Sequence, residues 1–162
     1  MTFEARIGRF CQVHPEAPRD DILATRLLFH TTRLLRAHIN RALARFELDM
    51  SQYLVMSMLS TDETKPSSPS ELSAAMDATR TQMTRFVDSL HTRGLVKRHA
   101  SEQDRRSLTL TLTPAGHRLL QHAIPDVHAA YVQAWLVLDK AQQTATTQNL
   151  NQLHERLLHL EP

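Results

Sequence analysis

Arg80, Thr81, Gln82, Thr84 and Arg85 crowd into six consecutive positions, and their types are those that read duplex DNA. Arg forks onto guanine, Gln pairs with adenine, and Thr offers both a hydroxyl and a methyl. Among and after them Met83, Phe86, Val87 and Leu90 recur at i, i+3, i+4 and i+7, which predicts a helix with one buried stripe and a polar face that includes Asp88. Thr79 sits just ahead of it, where the free amides of a helix start favour phosphate. A second cluster follows at Asp104-Arg105-Arg106. An Arg at the tip of a ribbon inserts into a minor groove or holds a phosphate, and Asp104 is placed to orient one of the two by a charge-assisted pair. Arg98 lies on the strand that leads to this tip. Residues 79 to 106 hold seven Lys or Arg against Asp88, Glu102 and Asp104, a net +4 in a chain of net +2, so the remainder is −2. A basic patch on a nearly neutral chain fits a nucleic-acid partner.

The elements that must position these groups are equally legible. Ser68-Pro69-Ser70-Glu71 is a compact helix start, with Ser68 as N-cap, Pro69 at the first turn and Glu71 completing a capping box. Thr79-Arg80-Thr81-Gln82 repeats the box. Two capped helices separated by Asp77 and Ala78 make a helix-turn-helix, with Ser70 on the bracing helix joining the DNA-facing set. Gly94 stops the second helix. Residues 95 to 99 then read as a strand, 101 to 104 as a turn, and 107 to 112 as a return strand of period two whose Leu108, Leu110 and Leu112 should face the core. Thr113 and Pro114 open a fifth helix that runs towards Trp135 with a kink expected near Pro125.

The remaining chain reads as helical packaging. Phe3, Ile7 and Phe10 suggest a short N-terminal helix, broken by the segment from His14 to Pro18. Asp20 is a candidate cap for a long helix from about 21 to 46, and residues 48 to 51 form a turn before a short, very apolar helix through Tyr53 and Met56. Asp139-Lys140-Ala141-Gln142 caps a last helix carrying Leu150, Leu153 and Leu157. The division expected is an arm and dimerisation helix over 1–47, a winged-helix DNA-binding domain over 48–113 and C-terminal dimerisation helices over 114–162. The fold class expected is mostly α, a winged helix-turn-helix with a two-stranded β wing. The terminal helices carry more apolar surface than a small winged unit can cover, so a homodimer is expected.

Other chemistry finds little support. The ten histidines contain no pair spaced by three or four, so no helical metal chelate is visible. There is no Gly-rich phosphate loop and no paired-carboxylate motif, so neither an enzyme nor a cofactor is expected. The lone Cys11 excludes an internal disulfide framework and leaves a redox-responsive regulator as one alternative. No apolar run approaches the ~20 residues that span a bilayer, and the N-terminus has no cleavable apolar core. A cytoplasmic protein without membrane contact is the simplest expectation. A winged helix used only to dock protein is the other alternative. It is opposed by Arg80, Arg85, Arg105 and Arg106 on adjacent elements, where a docking face would expose apolar residues.

Taken together, Pro69-Ser70-Glu71-Leu72-Ser73, Thr79 to Arg85, Leu90-His91-Thr92-Arg93-Gly94-Leu95-Val96, Asp104-Arg105-Arg106 and Leu112-Thr113-Pro114-Ala115-Gly116 resemble the MarR family of bacterial transcription regulators. Within it, Arg80-Thr81 with Thr84-Arg85, the Asp104-Arg105-Arg106 triplet and the run from Ile22 to Leu27 are similar to the EmrR (MprA) multidrug-efflux repressors. The resemblance implies a homodimer with interlocked terminal helices and one winged helix per subunit on a palindromic double-stranded operator. It also implies a small aromatic or hydrophobic effector that binds between the dimer helices and the DNA-binding lobe and weakens DNA binding. Arg26, His30, Tyr53 and Met56 are the candidate lining of that site, with core packing as the competing reading.

Overall fold

The computed structural model describes residues 3–61, 67–100 and 108–160. Among them the chain forms helices α1 (Phe3–Val13), α2 (Arg19–Leu43), α3 (Met50–Thr61), α4 (Pro69–Ala75), α5 (Arg80–Thr92), α6 (Pro114–Trp135) and α7 (Lys140–Leu158), with a short 3-10 turn at Ala44–Phe46 and an antiparallel pair β1 (Val96–Ala100) and β2 (Leu108–Leu112). The fold is therefore mostly α with a two-stranded wing, in the order helix, turn, helix, hairpin, helix that the sequence predicts. Two compact units are present, Met1–Met50 and Ser51–Pro162.

In the first unit α1 and α2 pack together, with Ile7 buried on α1 and Ile39 and Leu43 on α2. Asp20 does not cap α2. The N-cap is Pro18, which makes no side-chain cap bond, and Asp20 and Asp21 lie inside the first turn. A proline has no side-chain acceptor to offer, while carboxylates two and three residues further in still complement the positive end of the helix. The helix gives way at Ala44 to the 3-10 turn and to Glu47 in the left-handed region, φ 54°. The Asn40 side-chain oxygen accepts from the Met50 amide at 2.8 Å, satisfying one of the free amides that begin α3.

The second unit holds the core that positions α4, α5 and the hairpin. Val55, Met56, Leu72, Met83, Val87, Leu90, Val96, Leu110 and Leu120 are buried there. The hairpin register pairs Val96 with Leu112, Arg98 with Leu110 and Ala100 with Leu108, so these six share one face. Leu110 and Leu112 are buried as expected, but Leu108 is 48% exposed. Its face is right; the hairpin simply extends past the edge of the core. The carbonyl of Ser67 accepts from the Leu110 amide at 2.9 Å, which ties the start of α4 to β2. Helix α6 is continuous from Pro114 to Trp135 with Pro125 inside it.

The junction between α5, the hairpin and α6 explains the Leu-Thr-x-x-Gly stretch physically. Gly94 adopts φ 67° where an L side chain would be strained. The buried Thr113 caps α6: its hydroxyl accepts from the Gly116 amide at 3.0 Å and donates to the Gly94 carbonyl at 2.7 Å. The Thr113 amide donates to the Leu95 carbonyl at 3.0 Å. Helix α6 thus starts directly against the end of α5, so closely that a Cβ at Gly116 would meet the Leu95 carbonyl oxygen.

Candidate nucleic-acid interface

Both capping boxes form. Ser68 accepts from the Glu71 amide at 3.2 Å while Glu71 accepts from the Ser68 amide at 2.7 Å. Thr79 accepts from the Gln82 amide at 3.2 Å, and Gln82 Oε1 accepts from the Thr79 amide at 2.9 Å. The turn between α4 and α5 closes through Asp77 at φ 47°, a conformation Asp tolerates better than most residues, and through the Ala78 amide on the Ser73 carbonyl at 3.0 Å. Helix α4 therefore braces α5 at a fixed, sharply turned approach.

On α5, Met83, Val87 and Leu90 are buried and Phe86 is half-buried, while Arg80, Thr81, Gln82, Thr84, Arg85 and Asp88 are exposed. The helix is divided along its length into an apolar inner stripe and a cationic outer face. The Arg80 and Arg85 side chains make no hydrogen bond or ion pair among the described residues, so both guanidiniums present full donor sets to whatever approaches. Thr84 Oγ1 donates to the Arg80 carbonyl at 2.9 Å, which leaves the oxygen free to accept. Gln82 is less free than its sequence position suggests. Its side-chain oxygen also accepts from the Thr79 hydroxyl at 3.0 Å, leaving the amide NH2 as the group available for an outside partner. Ser70, exposed on α4, lies 3.0 Å from the Ser68 hydroxyl.

Arg98 is placed differently. It shares the inward-facing side of the hairpin with Val96 and Leu110, is half-buried, and pairs with Asp88 on α5. The pair ties the wing's first strand to α5. Asp104, Arg105 and Arg106 lie outside the described residues. On the outward face of the hairpin, His99 Nε2 meets the Thr111 hydroxyl at 2.9 Å.

The candidate effector residues fall in two places. Arg26 and His30 are exposed one turn apart on α2 in the first unit, whereas Tyr53 and Met56 are buried on α3 in the second. Arg26 also lines a cavity of about 610 Å³ within the first unit, with Phe3, Ile7, Phe10 and Ile22 and a second guanidinium, Arg6. Tyr131 on α6 is not singled out by the sequence, because within a helix it reads as one more half-apolar position. In the structure, burial first and the neighbouring Tyr53 second push its phenol above the usual tyrosine value. Cys11 is half-buried on α1. Among the described residues no group of three or more His, Cys, Asp or Glu is placed to hold a metal ion, and no helix is long and apolar enough to cross a membrane.

Comparison with known proteins agrees with this arrangement. Residues 48–108 match the MarR family model. The chain is 33% identical over 148 residues to the transcriptional repressor MprA of Escherichia coli K12, covering 91% of this chain and 84% of that one. Among solved structures it is similar to AbsC, a MarR family transcriptional regulator from Streptomyces coelicolor, at a TM-score of 0.77 and 25% identity over 85% of this chain and 93% of that one. It is also similar to the Mycobacterium tuberculosis MarR family protein Rv2887 in complex with p-aminosalicylic acid, at a TM-score of 0.62 and 28% identity over 80% and 97% of the two chains. The paired capping boxes, the cationic face of α5, the hairpin behind it and a repressor relative matched over most of its length place this chain in the MarR family of winged helix-turn-helix transcription regulators.

Proposed function

We propose that this chain is a cytoplasmic repressor that binds a palindromic operator as a homodimer and releases it when a small aromatic or hydrophobic effector binds. The observation that carries the DNA reading is the exposed outer face of α5, where the Arg80 and Arg85 guanidiniums have no partner among the described residues and stand beside Thr81 and Thr84. In this reading Ser70, Thr79 and the Asp104-Arg105-Arg106 segment hold phosphates or the adjacent groove, and residues 48–113 act as the DNA-binding domain. Residues 1–47 and 114–162 serve dimerisation. Helix α7 supports that role, because none of its residues is buried in the single chain and Leu150, Leu153, Leu157 and Leu158 are all exposed. Apolar surface of this kind is what a dimer removes from water.

The effector reading rests on the candidate residues Arg26, His30, Tyr53 and Met56, to which Tyr131 is added through its proximity to Tyr53. Guanidinium and phenol groups favour an aromatic carboxylate or a phenol, and a similar MarR protein has been crystallised with p-aminosalicylic acid. The regulated genes are those for efflux or for handling aromatic compounds. Footprinting on the DNA upstream of this chain's own gene, with and without salicylate-like acids and uncoupler-like phenols, tests the whole reading. Protection of two half-sites, about 34–36 Å apart or a multiple of that, lost on adding one of these compounds, is the expected result. A protein that protects no site, or whose Arg80→Ala variant binds as well as the wild type, overturns the DNA reading. Protection that no compound relieves overturns only the effector reading.

A further inference from the structure

We propose that Gln52 on α3 is a specificity-determining positioning residue, acting on DNA selection through Ser89 without facing the DNA itself. The two halves of α5 are held in different ways. Among the described residues, the polar side chains of the reading half bond only locally: Thr79 with Gln82, and Thr84 with the Arg80 carbonyl. The far half is tied to other elements at three successive polar positions. Asp88 pairs with Arg98 of β1. Ser89 Oγ accepts from Gln52 Nε2 at 2.9 Å. His91 Nδ1 meets the Val96 carbonyl at 3.0 Å, and since a carbonyl only accepts, Nδ1 carries the proton there.

Two of these three ties run to the hairpin that immediately follows α5, so they travel with it. The Gln52–Ser89 bond spans 37 residues and links α5 to an element before the helix-turn-helix. Its direction matters because the rest of the seat is apolar. Met83, Val87 and Leu90 bury a stripe whose attraction is non-directional, whereas a hydrogen bond fixes a narrow range of distance and angle. Around a helix of about 5–6 Å radius with side chains, a rotation of about 10° moves the outer groups by roughly 1 Å, more than the usual spread of hydrogen-bond lengths. Gln52 shares α3 with the apolar Tyr53, Leu54, Val55, Met56, Met58 and Leu59 and with the short polar side chains Ser51, Ser57, Ser60 and Thr61, and its half-buried amide donates to α5.

This inference rests on α5 reading bases. The test uses full-length protein, a duplex enriched by the wild type from a random-sequence pool, and an unrelated duplex of equal length. Gln52→Met keeps the volume and removes the donor, Ser89→Ala removes the acceptor, and the double variant completes a cycle. Each single variant is expected to lose about three- to tenfold in the ratio of the two affinities, the scale of one net hydrogen bond, with the unrelated duplex bound as before. The double variant should lose no more than either single one, and Ser89→Thr, which keeps the hydroxyl, should restore most of the ratio. Unchanged selectivity, additive losses, or equal weakening on both duplexes with a lowered melting temperature each overturn the positioning role. A wild type that enriches no sequence defeats the DNA reading itself and this inference with it. A wild type that selects, with variants that select equally well, defeats only this inference.

Discussion

Replacing Thr113 by Val is the sharpest test of how α6 is attached. The change keeps the shape and exchanges a hydroxyl for a methyl at a residue only 7% exposed. The cap on the Gly116 amide at 3.0 Å and the bond to the Gly94 carbonyl at 2.7 Å are both lost. Loss of an N-cap costs about 1 kcal/mol, within a range of roughly 0.5–2. Leaving the buried Gly116 amide without a partner costs about 1–3 kcal/mol. The Gly94 carbonyl lies at an exposed residue and can turn to water, so it adds little. The two costs overlap at the amide, giving about 2–4 kcal/mol in total. For a chain of this size each kcal/mol moves the melting temperature by about 2–4 °C, so a fall of about 4–16 °C is expected. Circular dichroism melts at one fixed protein concentration measure it, because the melting temperature of an oligomer depends on concentration. Thr113→Ser keeps the oxygen and should recover most of the loss. A Thr113→Val protein within about 2 °C of wild type, or a Thr113→Ser protein that falls equally far, would refute the reasoning.

Four further outcomes follow from the same geometry. Gly116→Ala places a methyl against the Leu95 carbonyl, with the carbonyl carbon 3.1 Å and a Leu112 methyl 3.2 Å away; destabilisation of about 1–3 kcal/mol should be readable by urea titration. Asp88→Asn frees Arg98, so the salt dependence of DNA binding should steepen by about one phosphate, while the loss of a partly exposed ion pair costs below about 1 kcal/mol after screening; an unchanged salt slope would place Arg98 out of reach of DNA. The Tyr131 phenol sits above its ordinary value of 10.0 in the folded state, so the folded protein holds this proton more tightly than the unfolded chain. Its contribution is whole below about pH 10 and is lost as pH rises through the raised folded value, and Tyr131→Phe should flatten the alkaline decline in denaturant titrations above about pH 10. Leu153→Asp with Leu157→Asp, at two leucines exposed on α7, should convert the proposed dimer to a monomer at micromolar concentration in light scattering.

Much of the reading unit was legible because its signals are local. The boxes at Ser68–Glu71 and Thr79–Gln82 depend on residues three apart, and the stripe Met83, Val87, Leu90 on helical period alone; both appear as expected. Gly94 and Thr113 are likewise local punctuation. What escaped the sequence depends on where other elements end. Period two places Leu108 on the inner face but does not say that the core stops at Leu110. A carboxylate at Asp20 looks like a cap until the backbone places Pro18 there. Gln52–Ser89, Arg98–Asp88 and the nearness of Tyr53 to Tyr131 are pairings between separate elements, and a single chain carries no mark of them.

The joint at Thr113 also has a mechanical meaning. Two of the chain's three glycines, Gly94 and Gly116, lie on its two sides, and Thr113 bonds both across it. Such a junction is a weld and not a pivot, since parting α5 from α6 means breaking a cap and stranding a buried amide. The two helices then turn as one bent lever. At 1.5 Å per residue the long arm, α6, reaches about 33 Å from the joint, so a push of about 3 Å at its far end equals roughly 5° at the reading helix. Leverage runs both ways: small angular play at α5 is large travel at the distal end of α6, and whatever clamps that end steadies the arginines.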